Sequence, residues 1–383
     1  MKTYNFSDET LKHVTKILSE YSNLDTIYKL ACNDNGNSIE FFQDIIISGN
    51  ELEYIYLFAR DVKGADIQKL QSKLIELSLY LMNIEYLYLF ARDVPGADKK
   101  ALEEAIYESA PCFDETDVEY EDKYIDDEKF IKDHNLFLCA DYLVYLFASE
   151  IEGADIIRLE QLLQRPYYEY VFARDVPGAD ILQLENRVCS SWDDDVKLLF
   201  AKNIPSANLD KIAKSLEEPK EIYEFAMAFP ETDIVVLEQK IIDCMNEGME
   251  EYDYLLKLAQ NAKGFDFDLL SRALYEKCNS LLKLTRFVRN LDGLNMPLIE
   301  KTALSLIHGF DSAEVYEFVS ANDKININLF IDYAKKVLSE KNLLTYVSNK
   351  NYHDYIDDYQ YLLDNLIILK KSRMESKKKK KTL

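Results

Sequence analysis

The residues best suited to hold a metal or attack a substrate are few and scattered. The histidines are His13, His134, His308 and His353, and none belongs to a His-Glu-x-x-His or other ligand pair. A zinc site needs three or four converging ligands, so no metal site is expected. The cysteines are Cys32, Cys112, Cys139, Cys189, Cys244 and Cys278, with no Cys-x-x-Cys. They read as small buried hydrophobes of a reducing compartment. Asp193-Asp194-Asp195, and His353-Asp354 with Asp357-Asp358, come nearest to a catalytic cluster. A metal-dependent phosphohydrolase would need a second histidine group beside them. There is no Gly-x-Gly-x-x-Gly, Walker loop or serine elbow. The expectation is no catalytic residue, no cofactor, no metal and no enzyme activity.

Two recurring features remain: the pairs Arg60/Asp61, Arg92/Asp93 and Arg174/Asp175, and 27 tyrosines, among them Tyr167-Tyr168. Stacked in a row, the pairs would form either a ladder of ion pairs and hydrogen bonds between repeats or a row that reads a ligand. Ser149/Glu150 and Lys202/Asn203 at the same phase show that a fixed charge is not required on every rung. The tyrosines suit a protein interface as well as a core.

The pairs sit inside an internal repeat. Tyr-Leu-Phe-Ala-Arg-Asp-Val-Lys-Gly-Ala-Asp at 56–66 returns with small changes at 88–98, 145–155 and 170–180, and in weaker form at 199–208, 224–233 and 257–266. With the alanine as phase zero, the anchors are Ala31, Ala59, Ala91, Ala148, Ala173, Ala201, Ala226, Ala259, Val288, Val319 and Val347. Their spacings run from 25 to 33 residues, apart from one of 57. Phase +7 is Ser38, Asp66, Asp98, Asp155, Asp180, Asn208, Asp233, Asp266, Asn295, Asn326 and Asp354, all of them residue types that cap helix N-termini. Phase +5 takes seven of the ten glycines, including Gly64, Gly96, Gly153 and Gly178, as a left-handed residue closing a helix would.

Each unit therefore predicts two helices. One ends near the anchor, as over Glu53–Val62, and a second opens at the +7 cap with an apolar stripe such as Ile67, Leu70, Leu74 and Leu77. One short pair cannot bury its own stripe, so neighbours must stack. The fold class expected is all-α, an α-solenoid of about eleven short helical hairpins. In architecture it resembles the HEAT, armadillo and tetratricopeptide arrays. The Phe-Ala-Arg-Asp-Val-Pro-Gly-Ala-Asp core is similar to a short repeat in proteins of bacteriophages and low-GC bacteria, over residues 54–106 and 142–188. That resemblance implies a phage or bacterial setting and no particular activity.

Charge completes the expectation. The chain of 383 residues carries a formal −24. Residues 370–383 hold eight basic side chains against one acidic, which leaves −31 on the rest. We expect an N-terminal capping helix within 1–22, repeats over 23–110 and 136–369, and a basic disordered tail over 370–383. The 57-residue gap holds an acidic insertion or degenerate repeat over 111–135. Its Asp114, Glu115, Asp117, Glu119, Glu121, Asp122, Asp126, Asp127 and Glu128 are the candidate partner-binding residues. A body this acidic repels nucleic acid and attracts basic proteins, so the expected partner is a basic protein. Nucleic acid is expected only through Lys377–Lys381. No apolar run reaches membrane-spanning length, and Met1–Thr10 has no apolar signal core, so a cytoplasmic location is expected, in a bacterial cell or a phage host. The functional expectation is a binding scaffold, in its sharpest form a phage or mobile-element inhibitor that covers a partner's nucleic-acid-binding surface. Alternatives are a host structural module, a nucleic-acid-associated protein or a cryptic enzyme.

Overall fold

The computed structural model describes residues 12, 16, 23–33, 38–109, 140–245, 250–307, 312–339 and 351–382. The expected capping helix of 1–22 and the nine acidic candidates between Asp114 and Glu128 thus lie outside the described residues, apart from Lys12 and Lys16, which are helical. Among the described residues there are helices and no strand, so the chain is all-α.

Two compact units divide the chain, residues 1–191 and 192–383. The first holds α1 (Leu24–Cys32), α2 (Ile39–Gly49), α3 (Leu52–Asp61), α4 (Ile67–Leu81), α5 (Glu85–Asp93), α6 (Lys99–Ser109), α7 (Ala140–Glu150), α8 (Ile156–Glu160), α9 (Pro166–Asp175) and α10 (Ile181–Ser190). The second holds α11 (Asp194–Asn203), α12 (Leu209–Ser215), α13 (Pro219–Ala228), α14 (Ile234–Cys244), α15 (Glu250–Asn261), α16 (Phe267–Lys277), α17 (Leu281–Asn290), α18 (Met296–Leu306), α19 (Ser312–Ala321), α20 (Ile327–Ser339) and α21 (Asn351–Thr382).

Odd-numbered helices pack on odd-numbered ones within each unit: α1, α3, α5, α7 and α9 in the first, α11, α13, α15, α17, α19 and α21 in the second. Even-numbered partners line the other side, as α2, α4 and α6 do. This is the solenoid pattern of hairpins touching only their neighbours. From α3 to α20 each hairpin brings two fully buried side chains to the core. One lies just before the anchor, as Phe58, Phe90, Phe147, Phe172, Phe200, Phe225, Phe287 and Phe318 do. The other lies in the second helix, as Leu70, Leu102, Leu159, Leu184, Ile212, Leu237, Leu270, Ile299 and Phe330 do. Burying each such side chain contributes about 1.5–3 kcal/mol.

The recurring turn follows the expected chemistry. The first helix closes on a buried valine in extended conformation at Val62, Val94 and Val176, and two residues later Gly64, Gly96 and Gly178, like Gly153 and Gly264 in their own hairpins, take φ between 79° and 91°. Side chains of Asp66, Asp98, Asp155, Asp180, Asn208, Asp233, Asp266, Asn295 and Asn326 accept from backbone N–H groups in the first turn of the second helix. Two other members of that phase depart from it. Ser38 stands at the N-cap of α2 without a side-chain cap bond. Asp354 lies inside α21, which begins at Asn351, so it is no cap.

The long last helix corrects a second expectation. Residues 370–382 continue α21 and do not form a disordered tail. Its inner side sets buried Tyr359, Leu362 and Leu366 against α19 and α20. The Arg373 guanidinium, further along the helix, donates to the carbonyl oxygens of Val319, Asn322 (2.9 Å) and Ile325 (3.1 Å). Ordered packing thus carries the helix into its basic end, where cations also complement the helix dipole.

Candidate functional site

On the first-helix face of residues 1–191, the Arg-Asp pairs form a ladder. In α3 the Arg60 guanidinium donates through Nε and Nη2 to Asp61, at 2.8 Å each, and through Nη1 to the Tyr56 hydroxyl. Arg92 does the same with Asp93 and Tyr88, and Arg174 with Asp175 and Tyr170. Each guanidinium also lies over its tyrosine ring, 5.0–5.3 Å from the centroid. Helical spacing makes this possible: Tyr and Arg are four residues apart and share one face.

Tyrosine hydroxyls then join hairpin to hairpin. Tyr28 of α1 donates to Asp61 of α3. Tyr56 donates to Asp93 of α5 at 2.6 Å, Tyr88 to Glu150 of α7 at 2.6 Å, and Tyr145 to Asp175 of α9 at 3.3 Å. Glu150, which follows Ser149 where other rungs carry Arg-Asp, thus fills the acceptor role on its rung. Asp61, Asp93 and Asp175 are held below the usual carboxylate range, chiefly by hydrogen bonds from their arginines. Burial, reinforced by Asp175, pushes the Tyr145 hydroxyl up to about 12. Both shifts favour an ionised acceptor opposite a neutral hydroxyl donor. The arrangement ties neighbouring rungs together, as the expected ladder of ion pairs and hydrogen bonds between repeats would.

Sequence reasoning missed a second, buried ladder. Five residues after seven of the phase +7 residues, the second helix carries Gln43, Gln71, Glu103, Glu160, Glu238, Ser271 and Glu300. Each side chain accepts the backbone N–H of the next hairpin's capping residue: Asp66, Asp98, Asp155, Asp180, Asp266, Asn295 and Asn326, at 2.6–3.0 Å. Gln71 also donates through Nε2 to the Asp98 carbonyl at 2.9 Å. A polar residue recurring inside an otherwise apolar stripe was the signal available for it.

The remaining acidic candidates resolve into structural roles. Asp193 caps α11, and buried Asp194 pairs with Lys197 at 2.8 Å while accepting from the Glu217 and Glu218 N–H groups. Asp141 serves the Gln164 and Arg165 N–H groups in the same way. These two acids cap α9 and α13 from the preceding hairpin, where Arg165 and Glu218 at the N-cap positions supply no side-chain cap. Asp357 and Asp358 are exposed on α21, and the His353 side chain lies outside the described residues.

The 57-residue spacing also has an answer. Helix α5 packs directly on α7, and Glu103 and Glu104 of α6 bond Asp155 and Arg158 of the following hairpin. The rungs before and after the gap are therefore adjacent, and residues 110–139, expected as an insertion or a degenerate repeat, lie outside the described residues.

Among the described residues no group of three or more His, Cys, Asp or Glu side chains is arranged to hold a metal ion. A shallow surface depression lies between α15 and α17, lined by Tyr252, Asp253, Leu256, Lys283, Arg286 and Phe287, and it encloses no ligand-sized cavity. No described helix is long and apolar enough to cross a membrane. No protein family, no curated protein and no solved structure matches this chain.

Proposed function

We propose that the chain is a non-enzymatic binding scaffold whose acidic surface takes a basic protein. One observation carries this reading. On the first-helix face of residues 1–191, Arg60, Arg92 and Arg174 each spend their donors on the adjacent aspartate and a tyrosine hydroxyl. These guanidinium groups are engaged within the ladder, and the chain as a whole carries a formal −24. Rungs locked by two ladders present that charge on a pre-organised surface, which favours association.

The sharper form is an inhibitor, phage or mobile-element encoded, that covers the nucleic-acid-binding surface of a basic partner. Its support is the charge together with the phage-like repeat core. The proposed contact site is the insertion, with Asp114, Glu115, Asp117, Glu119, Glu121 and Asp122 at its acidic centre; a location in a bacterial or host cytoplasm belongs to the same proposal.

Affinity purification from the native cell supplies the partner. Binding is then titrated at low and high salt for the wild type and for a variant with those six acids changed to Asn or Gln. Affinity is expected to fall with salt, because exposed charges are screened over about 8 Å at physiological ionic strength. The variant is expected to associate more slowly, since rim charges act mainly on the on-rate. Equal affinities of the two proteins would remove the insertion as the site. A salt-independent affinity would remove the electrostatic reading.

A further inference from the structure

We infer that the outward face of α21 pairs antiparallel with the same face of a second copy of this chain. Helix α21 has two seams. The inner one, Tyr359, Leu362, Leu366 and Arg373, docks on α19 and α20. The opposite one follows the same alternating three- and four-residue spacing through Asp357, Tyr361, Asp364, Ile368, Lys371 and Glu375, and every member is exposed. Tyr361 is 69% and Ile368 62% exposed, among the most exposed large apolar side chains of the described residues. A seam spaced in this way is what one helix offers another in a coiled coil.

Charge selects the occupant. Along α21 the signs are segregated: Asp354, Asp357, Asp358 and Asp364 come first, then Lys370, Lys371, Arg373 and Lys377–Lys381, with Glu375 the one acid among them. A parallel pair of such helices would set acid on acid and base on base. An antiparallel pair sets the acidic half of each against the basic half of the other, and a two-fold axis produces that arrangement from identical chains. The midpoint between Asp357-Asp358 and Lys370-Lys371 falls at Asp364. A two-fold there places Tyr361 of one helix beside Ile368 of its partner, and Asp357-Asp358 beside the partner's Lys370-Lys371. The apolar contact is small and flanked by charge, so the dimer is weak and salt-sensitive. Asp364 meets its own copy near the axis, a like-charge contact that weakens it further.

Sedimentation velocity of the full chain, over a concentration series at low and high salt, tests this. The wild type is expected to show a monomer–dimer equilibrium weakened by salt. Two charge reversals, Lys370→Glu/Lys371→Glu and Asp357→Lys/Asp358→Lys, are each expected to weaken the dimer about tenfold or more, because a two-fold contact feels each change twice. Mixing the two variants is expected to restore a heterodimer, in which reversed acid meets reversed base. Asp364→Asn is expected to tighten the wild-type dimer. Circular dichroism checks that each variant keeps its helix content. A wild type monomeric at every concentration overturns the inference. So does a dimer indifferent to both reversals, a dimer tightened by either alone, or a mixture that fails to associate.

Discussion

Glu238 occupies the register of Gln71 but supplies different chemistry. One carboxyl oxygen accepts the Asp266 N–H at 3.0 Å, and the other is buried without a partner. Burial, with the charge of Asp266 nearby, raises its pKa from 4.5 to about 7. The folded state holds this proton to higher pH than the unfolded chain does. Its contribution is therefore full below pH 4.5 and is lost as pH rises toward 7. Glu238→Gln supplies the amide that Gln71 already uses. We expect it to stabilise the protein at pH 8 by about 1–3 kcal/mol, the range for satisfying a buried polar group, and to change little at pH 5. Urea midpoints at the two values measure this; equal shifts at both would show that protonation is not the cause. The caps give a second measurement at this scale. Asp98→Ala and Asp180→Ala should each cost about 0.5–2 kcal/mol, read as lower denaturation midpoints. The caps were legible in the sequence because Asp and Asn recur at a fixed phase. The buried register was not, because its occupants range from Gln and Glu to Ser271, with Ala213 and Ile331 at the same phase. They share a location in three dimensions and no common hydropathy.

Between helices, two glycines of one phase are held for different reasons. Gly96 has φ +83° and nothing within 4 Å of an added Cβ, so Gly96→Ala meets backbone strain alone. That strain costs about 1–2 kcal/mol. Gly293 has an ordinary φ, but an added Cβ would lie 2.6 Å from the Phe267 ring. Gly293→Ala should destabilise through displaced packing, and shortening Phe267 to Leu should relieve part of the loss. Stability of the two single variants and of the Gly293→Ala/Phe267→Leu pair separates the two mechanisms. Rung coupling is measurable in the same way. Tyr56→Phe and Asp93→Asn should each cost about 0.5–1.5 kcal/mol, with the double variant costing less than their sum, since both remove one bond. The sequence aligned these residues but did not state which hydroxyl meets which carboxylate. That pairing depends on how far one hairpin is offset from the next.

For the whole chain, the direct packing of α5 on α7 makes a claim about the insertion. Between α4 and α5 the return from a second helix to the next first helix is short, Met82–Ile84. Replacing most of residues 110–139 by a short Gly-Ser linker should leave the ladder intact. The expected change in stability is a gain of no more than about 1.5 kcal/mol, at roughly 0.6 kcal/mol for each halving of loop length, with helix content of residues 23–109 and 140–191 unchanged. A large loss of helix would show that the insertion supports the rungs on either side. The all-α array was legible from periodicity alone, whereas the continuation of α21 beyond Leu369 was not. A lysine run has no apolar stripe to mark it as helical, and Arg373 reveals its role only when the carbonyls it serves are in view.

The buried ladder runs in one direction along the chain. In every bond the side-chain acceptor belongs to the earlier hairpin and the backbone donor to the later one. On a ribosome, where about 5–20 residues emerge each second, one hairpin takes seconds to appear. Helix formation and loop closure take about a microsecond or less. Each new hairpin therefore meets a predecessor that has had time to settle, with its acceptor already in place. Built in this order, the protein is its own template, and a nascent chain halted at one of these seven rungs is left with a side chain waiting, not a stranded backbone donor.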